Sequence, residues 1–193
     1  MEKLNQKIKG SGLASSPEIG PDVDLNSCGR CTFCKDHINT KTNFKSSVTN
    51  KQFTLENSSA ISVACETKNV VYLITCSVCD IQYVGMTEQT IKQRFSNHRT
   101  SCKSDKDKLL LYEHFRNHCR SLSDFKVQIL YHYTGNESAK DTLLAVEEFY
   151  MRMLGTLYPF GLNDKLTSVK LNLRKYDFTK FNSLNTPYFS FNS

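Results

Sequence analysis

The chain has 193 residues, a net charge of +6, 39% hydrophobic and 11% aromatic residues, and eight cysteines. That suffices for one sizeable core with appendages, is too short for two full domains as the default, and excludes fibrous or wholly disordered classes. No apolar run approaches the roughly 20 residues of a bilayer span, and the polar start MEKLNQKIKGSG has no secretory character.

The expected setting is therefore intracellular and reducing, where clustered Cys-x-x-Cys pairs bind metal more readily than they form disulfides. The positive charge is spread along the chain, and the stretch 69–165 is nearly neutral. This permits a polyanionic partner without requiring one.

Residues 1–27 are polar, with scattered Gly, Ser and Pro, and read as a flexible leader. Residues 28–68 are Cys-marked and poor in apolar periodicity; with little to bury, this segment is expected to need a metal for order. The texture then changes. Asn69–Thr75 is β-branched and aromatic, a strand signal, and Ile81–Gly85 reads as its hairpin partner across the Cys76–Asp80 turn. A helix is predicted over about Glu88–Cys102 with Thr87 as N-cap, and a second over about Lys108–Cys119. Phe125–Tyr131 alternates as a third strand, and a long helix covers about Glu137–Leu154, stopped by Gly155. The segment 166–193 reads as a polar and aromatic tail. The order β-β-α-α-β-α predicts an α+β fold: a small three-stranded antiparallel sheet flanked by helices, with zinc-stapled extensions, its compact unit at 69–165.

Two helices carry polar groups where apolar ones belong. On the last helix Leu143, Val146, Tyr150, Met151 and Leu154 form one apolar arc, and Glu147 falls near its middle. A carboxylate there costs several kcal/mol without a partner or a metal; a salt bridge to Arg94 is the bland alternative. Glu148 falls outside the arc, one turn before Arg152, as a solvated ion pair would. On the first helix Ile91, Phe95 and Cys102 share a face with His98, and Arg94 sits at its edge. A buried His is usually a satisfied core residue, but Arg with His facing strands that carry Tyr72 and Tyr83 suggests a phosphate site.

Cys76-x2-Cys79 and His114-x3-His118 have the half-site spacings of tetrahedral zinc, with Cys119 and Cys102 as possible substitutes. Upstream, Cys28, Cys31 and Cys34 with Cys65 make a second candidate set of four thiolates, for which His37 could stand in once. Four protein ligands leave no open position, so both would be structural.

Val70-Val71-Tyr72 beside Tyr83-Val84-Gly85 on adjacent strands is similar to the two-part signature of GIY-YIG endonucleases. Arg94, His98, Glu147 and Asn163 follow in the family's order. The insertion of Cys76 and Cys79 between the half-motifs, the His114/His118 pair, the stretch Thr156–Asn163 and the upstream cysteines resemble the Penelope-like retroelement branch. The resemblance implies metal-dependent hydrolysis of DNA. Glu147 would hold Mg2+ or Mn2+, Tyr72 would activate water with Tyr83 sharing its proton path, and Arg94 would stabilise phosphate charge. His98 would shuttle a proton or position a group, Asn163 would order the backbone, and Zn2+ would be structural. It also implies a reverse transcriptase portion absent from this chain, and a nuclear location follows from the substrate. The alternative is a catalytically inactive, zinc-stapled DNA-binding module.

Overall fold

In the computed structural model the described residues are 28, 31–55, 65–119, 121–136 and 138–166; the expected leader at 1–27 and nearly all of the tail at 166–193 lie outside them. The fold is α+β. A central antiparallel sheet is ordered β4-β3-β5, with β3 at Val70–Cys76, β4 at Gln82–Thr87 and β5 at Phe125–His132. Tyr72 pairs with Gly85 on one side and Ile129 on the other. The β3–β4 turn is closed by Cys76 N–H donating to Ile81 O at 3.0 Å, with Asp80 at φ 61°.

Strand alternation divides the apolar residues into two layers. Val70, Tyr72, Ile74 and Cys76 face α2 (Ile91–Cys102) and α3 (Leu110–His118). Val71, Leu73 and Val84 face α4 (Lys140–Leu154). The predicted arc of α4 is buried, Leu143, Val146, Tyr150, Met151 and Leu154 alike. Gly155 ends that helix at φ 70°, a left-handed cap that suits glycine. Glu148 does pair with Arg152 at 2.7 Å, but it is only 7% exposed rather than solvated.

Two helix starts differ from expectation. Thr87 belongs to β4, paired with Val70, and Thr90 caps α2 instead. Thr90 Oγ1 accepts from Gln93 N–H while Gln93 Oε1 accepts from Thr90 N–H, a reciprocal capping box that satisfies two terminal donors. The last helix starts at Lys140, not near Glu137.

The Cys-rich segment has more to bury than its composition suggested. It forms a one-turn helix α1 (Thr32–Asp36) and a hairpin of β1 (Asn43–Lys45) and β2 (Gln52–Thr54). Phe44 lies opposite Phe53, with ring centroids 5.4 Å apart, and both insert beside Tyr150 and Leu154. Three-residue strands are too short to show alternation, so this apolar pair was invisible as a pattern. Ser46 Oγ donates to Leu154 O at 2.8 Å and fixes the hairpin to the end of α4.

Both outer strands of the sheet are covered. Ile38 bridges Val127 in parallel, with backbone bonds of 2.7 Å from Asn39 N–H and from Val127 N–H. On β4, Leu162 N–H donates to Gln82 O, and the Asn163 amide holds Val84. No helix of the described residues is long and apolar enough to cross a membrane.

Candidate active site and metal centres

The face of β3 and β4 under α2 holds a buried polar cluster. Tyr72 is 1% exposed, and His98, one helical turn beyond Arg94, is 2% exposed. Arg94 Nε donates to Tyr72 Oη at 3.0 Å, and His98 Nε2 lies 2.7 Å from the same oxygen. Tyr83 sits beside them, its ring centroid 6.5 Å from Tyr72 and 5.9 Å from His98 in an edge-on arrangement. The i, i+4 spacing places Arg94 and His98 together, and strand pairing places both phenols beneath them.

Glu147 is 7% exposed on α4. Its charge acts on both phenols, pushing their ionisation upward, so the carboxyl shares their electrostatic environment. The dominant influence on Tyr72 is burial, which pushes it up to about 12 although Arg94 pulls the other way. Tyr83 is likewise raised, chiefly by burial. Arg94 therefore does not by itself make a base of Tyr72; added positive charge is required. Burial and then Arg94 pull His98 down to about 3, which keeps its ring neutral.

The sequence reading quoted Gly85 only as part of a motif and missed Tyr112. A Cβ on Gly85 would stand 2.6 Å from Tyr72 Oη and 2.7 Å from a Tyr83 ring carbon, so only a bare backbone lets both phenols lie across β4. Tyr112 on α3 is buried, and its Oη lies 3.1 Å from His98 Nδ1. Strand register sets Gly85 opposite Tyr72, which is the signal for its role; nothing in the sequence links Tyr112 to His98. Asn163 stays away from the phenols' polar atoms in its bonds. Its Oδ1 accepts from Val84 N–H at 3.0 Å and its Nδ2 donates to Val84 O at 2.8 Å, bracing the strand next to Tyr83.

Two cysteine clusters flank this cluster. The sulfurs of Cys28, Cys31, Cys34 and Cys65 all lie within 4.8 Å of one another, with Cys28 3.4 Å from Cys31 and 3.1 Å from Cys34. The edge of a tetrahedron with Zn–S bonds of ~2.3 Å is roughly 3.8 Å, so four thiolates at these separations could hold zinc. His37 Nδ1 donates to Phe125 O instead, 3.1 Å away, and is outside the group. The Cys65 carbonyl accepts from Lys92 N–H, tying this cluster to the first turn of α2.

The second group comprises Cys76, His114 and Cys119, again within 4.8 Å, with Cys79 Sγ 3.5 Å from His114 Nε2. His118 is not in it; its ring stacks on His114 at 5.2 Å. The cause is the end of α3. Cys119 leaves the helix in extended conformation, φ −89° and ψ 142°, and its sulfur comes within 3.6 Å of Cys76. Cys102 stands elsewhere, buried at the end of α2. Burial pushes the Cys34 thiol up to about 11 and the Cys119 thiol up to about 12, so metal capture by these two would release protons. None of the eight cysteines is joined in a disulfide.

A buried tyrosine, a histidine and a guanidinium thus meet on the antiparallel sheet, with a carboxylate on a neighbouring helix acting on the phenols; groups of these types are candidates for acid–base and charge-stabilising roles. The family model described as the GIY-YIG catalytic domain matches residues 68–158. Over that stretch the chain is similar to that domain, and the similarity supports a nuclease of the GIY-YIG type. The match includes Tyr72, Tyr83, Arg94, His98 and Glu147; it leaves out Asn163 and the Cys28–Cys65 cluster. Searches of curated proteins and of solved structures return no match.

Proposed function

We propose that the chain hydrolyses DNA phosphodiester bonds in a reaction that depends on a divalent cation. One observation carries this reading: Tyr72 Oη is bonded to both Arg94 and His98, with the Tyr83 ring beside them and the Glu147 charge acting on both phenols. Glu147, a hard oxygen donor, would hold Mg2+ or Mn2+, which when bound neutralises charge on the leaving 3′ oxygen.

The chain's own residues supply the remainder. Arg94 sits where it can stabilise charge building on the phosphate. Tyr72 takes a proton from the attacking water only after its own proton leaves, and His98 Nε2 at 2.7 Å is the group placed to receive it. Burial keeps that proton on Tyr72 in the resting protein; anionic substrate near His98 and positive charge near Tyr72 both favour the transfer. Tyr83 orders the water or phosphate beside Tyr72. Asn163 acts on the backbone of Val84, not on the reacting atoms.

The two cysteine clusters are read as structural zinc centres, the second completed by Cys79 and Cys119 rather than by His118. They brace α2 and α3 against the sheet. The cysteine insertion within the β3–β4 hairpin supports descent from a Penelope-like retroelement, which would place a reverse transcriptase portion beside this one and the work of both in the nucleus.

The test uses one purified sample: zinc content, and nicking of supercoiled plasmid with and without Mg2+. About two zinc ions per chain, and Mg2+-dependent nicking that Glu147→Ala abolishes, are expected. DNA binding without cutting by the parent chain selects the inactive DNA-binding module instead.

A further inference from the structure

We propose that Tyr112 is a positioning residue: through its hydroxyl it fixes the tautomer of His98, so that Nε2 faces Tyr72 as an acceptor. The inference begins with the donors. Tyr72 is buried, and one lone pair of its oxygen already accepts from Arg94 Nε at 3.0 Å. Its own hydroxyl proton needs an acceptor, because a buried donor left unpaired costs about 1–3 kcal/mol. His98 Nε2 at 2.7 Å can take it only if Nε2 carries no hydrogen.

The neutral ring then has its single N–H on Nδ1, and Nδ1 needs an acceptor of its own. Tyr112 Oη at 3.1 Å provides it. The Ser101 side chain lies beside the same hydroxyl. The other tautomer would aim Nε2–H at an oxygen that already has a donor, and would strand the Tyr72 proton. The Nδ1–H form therefore satisfies Tyr72 and His98 together, and it makes His98 ready to receive from Tyr72.

Tyr112 reaches this position because Leu110–His118 packs across α2, burying Leu111 and Tyr112 on the face that meets His98. It never needs to touch substrate. The catalytic consequence rests on the nuclease reading; the tautomer assignment does not.

Long-range 1H–15N spectra of the full chain labelled with 15N-histidine read the tautomer directly, with His98 assigned by loss of its signals in His98→Gln. The parent is expected to show His98 protonated on Nδ1. Tyr112→Phe keeps the ring and removes the acceptor, and should shift His98 to a mixture or to the Nε2–H form. Ser101→Ala, which leaves Tyr112 able to accept, should not. In nicking assays Tyr112→Phe should lower kcat on the order of tenfold with KM unchanged, since no substrate contact is lost.

Nε2–H in the parent overturns the proposal, as does an unchanged tautomer in Tyr112→Phe, and neither result touches the nuclease reading. A parent that shows the Nδ1–H form but never nicks DNA removes the nuclease reading and leaves the positioning role standing.

Discussion

The two faces of the central sheet are built from the same strands and do opposite things. Towards α4, Val71, Leu73 and Val84 meet Leu143, Val146 and Leu154, and the polar tip of Tyr150 is disposed of by one bond to Leu130 O at 3.2 Å. Towards α2 and α3, Tyr72 alternates with Val70 and Ile74, and the polar tips join into a chain through Arg94, His98 and Tyr112. One face spends its burial on stability, the other on holding polar groups out of water. Satisfied networks of this kind specify one arrangement, whereas apolar packing tolerates several.

The comparison can be broken in order of expected effect. Glu147→Ala should reduce plasmid nicking about a thousandfold, as loss of a charge-stabilising group does, while the urea midpoint moves little. A large loss of stability with nicking retained per folded molecule would make Glu147 a structural acid. Leu143→Ala should do the reverse, costing ~2–5 kcal/mol in urea titrations through the cavity it opens and sparing the nicking rate of the folded fraction.

Gly85→Ala sharpens the boundary between the faces. The added methyl displaces Tyr72 and Tyr83, and a shift near 1 Å is expected to lower nicking on the order of a hundredfold. Near-normal activity would mean that the phenols have other room.

The smallest effect is on pH. Folded His98 is pulled down to about 3 against an ordinary 6.5, so the unfolded chain binds the proton first as pH falls. Stability from this ring is complete above 6.5 and declines between 6.5 and 3, by about 2 kcal/mol at pH 5. His37 and His132 are lowered by burial and act in the same direction. His98→Gln should flatten the pH dependence of the urea midpoint between pH 7 and 5; an unaltered slope would mean that His98 takes up its proton at the same pH whether folded or unfolded.

Much of this was readable in the sequence, and for separable reasons. Strands such as Val70–Cys76 announce themselves by β-branching, and α4 by its apolar arc, because burial writes periodicity. Glu147 stood out because a carboxylate interrupts that period. The β1–β2 hairpin did not, since Phe44 and Phe53 occupy strands of only three residues. The cap of α2 fell at Thr90 because a reciprocal pair with Gln93 outcompetes Thr87, which the sheet had already taken. Cys119, rather than His118, comes within ligand distance of Cys76 and His114 because the chain leaves α3 extended, a backbone turn that ligand spacing does not encode. Tyr112 was hidden for a more general reason: hydrogen-bond partners between helices depend on packing, and no periodicity records them.

The covered margins of the sheet limit how this protein can meet others. Residues 37–39 occupy part of the outer side of β5, and Leu162 with Asn163 occupies that of β4. A foreign strand seeking main-chain partners would have to displace those segments first, so growth by strand addition, and the cross-chain association it seeds, is hindered at these positions. Recognition is left to side chains.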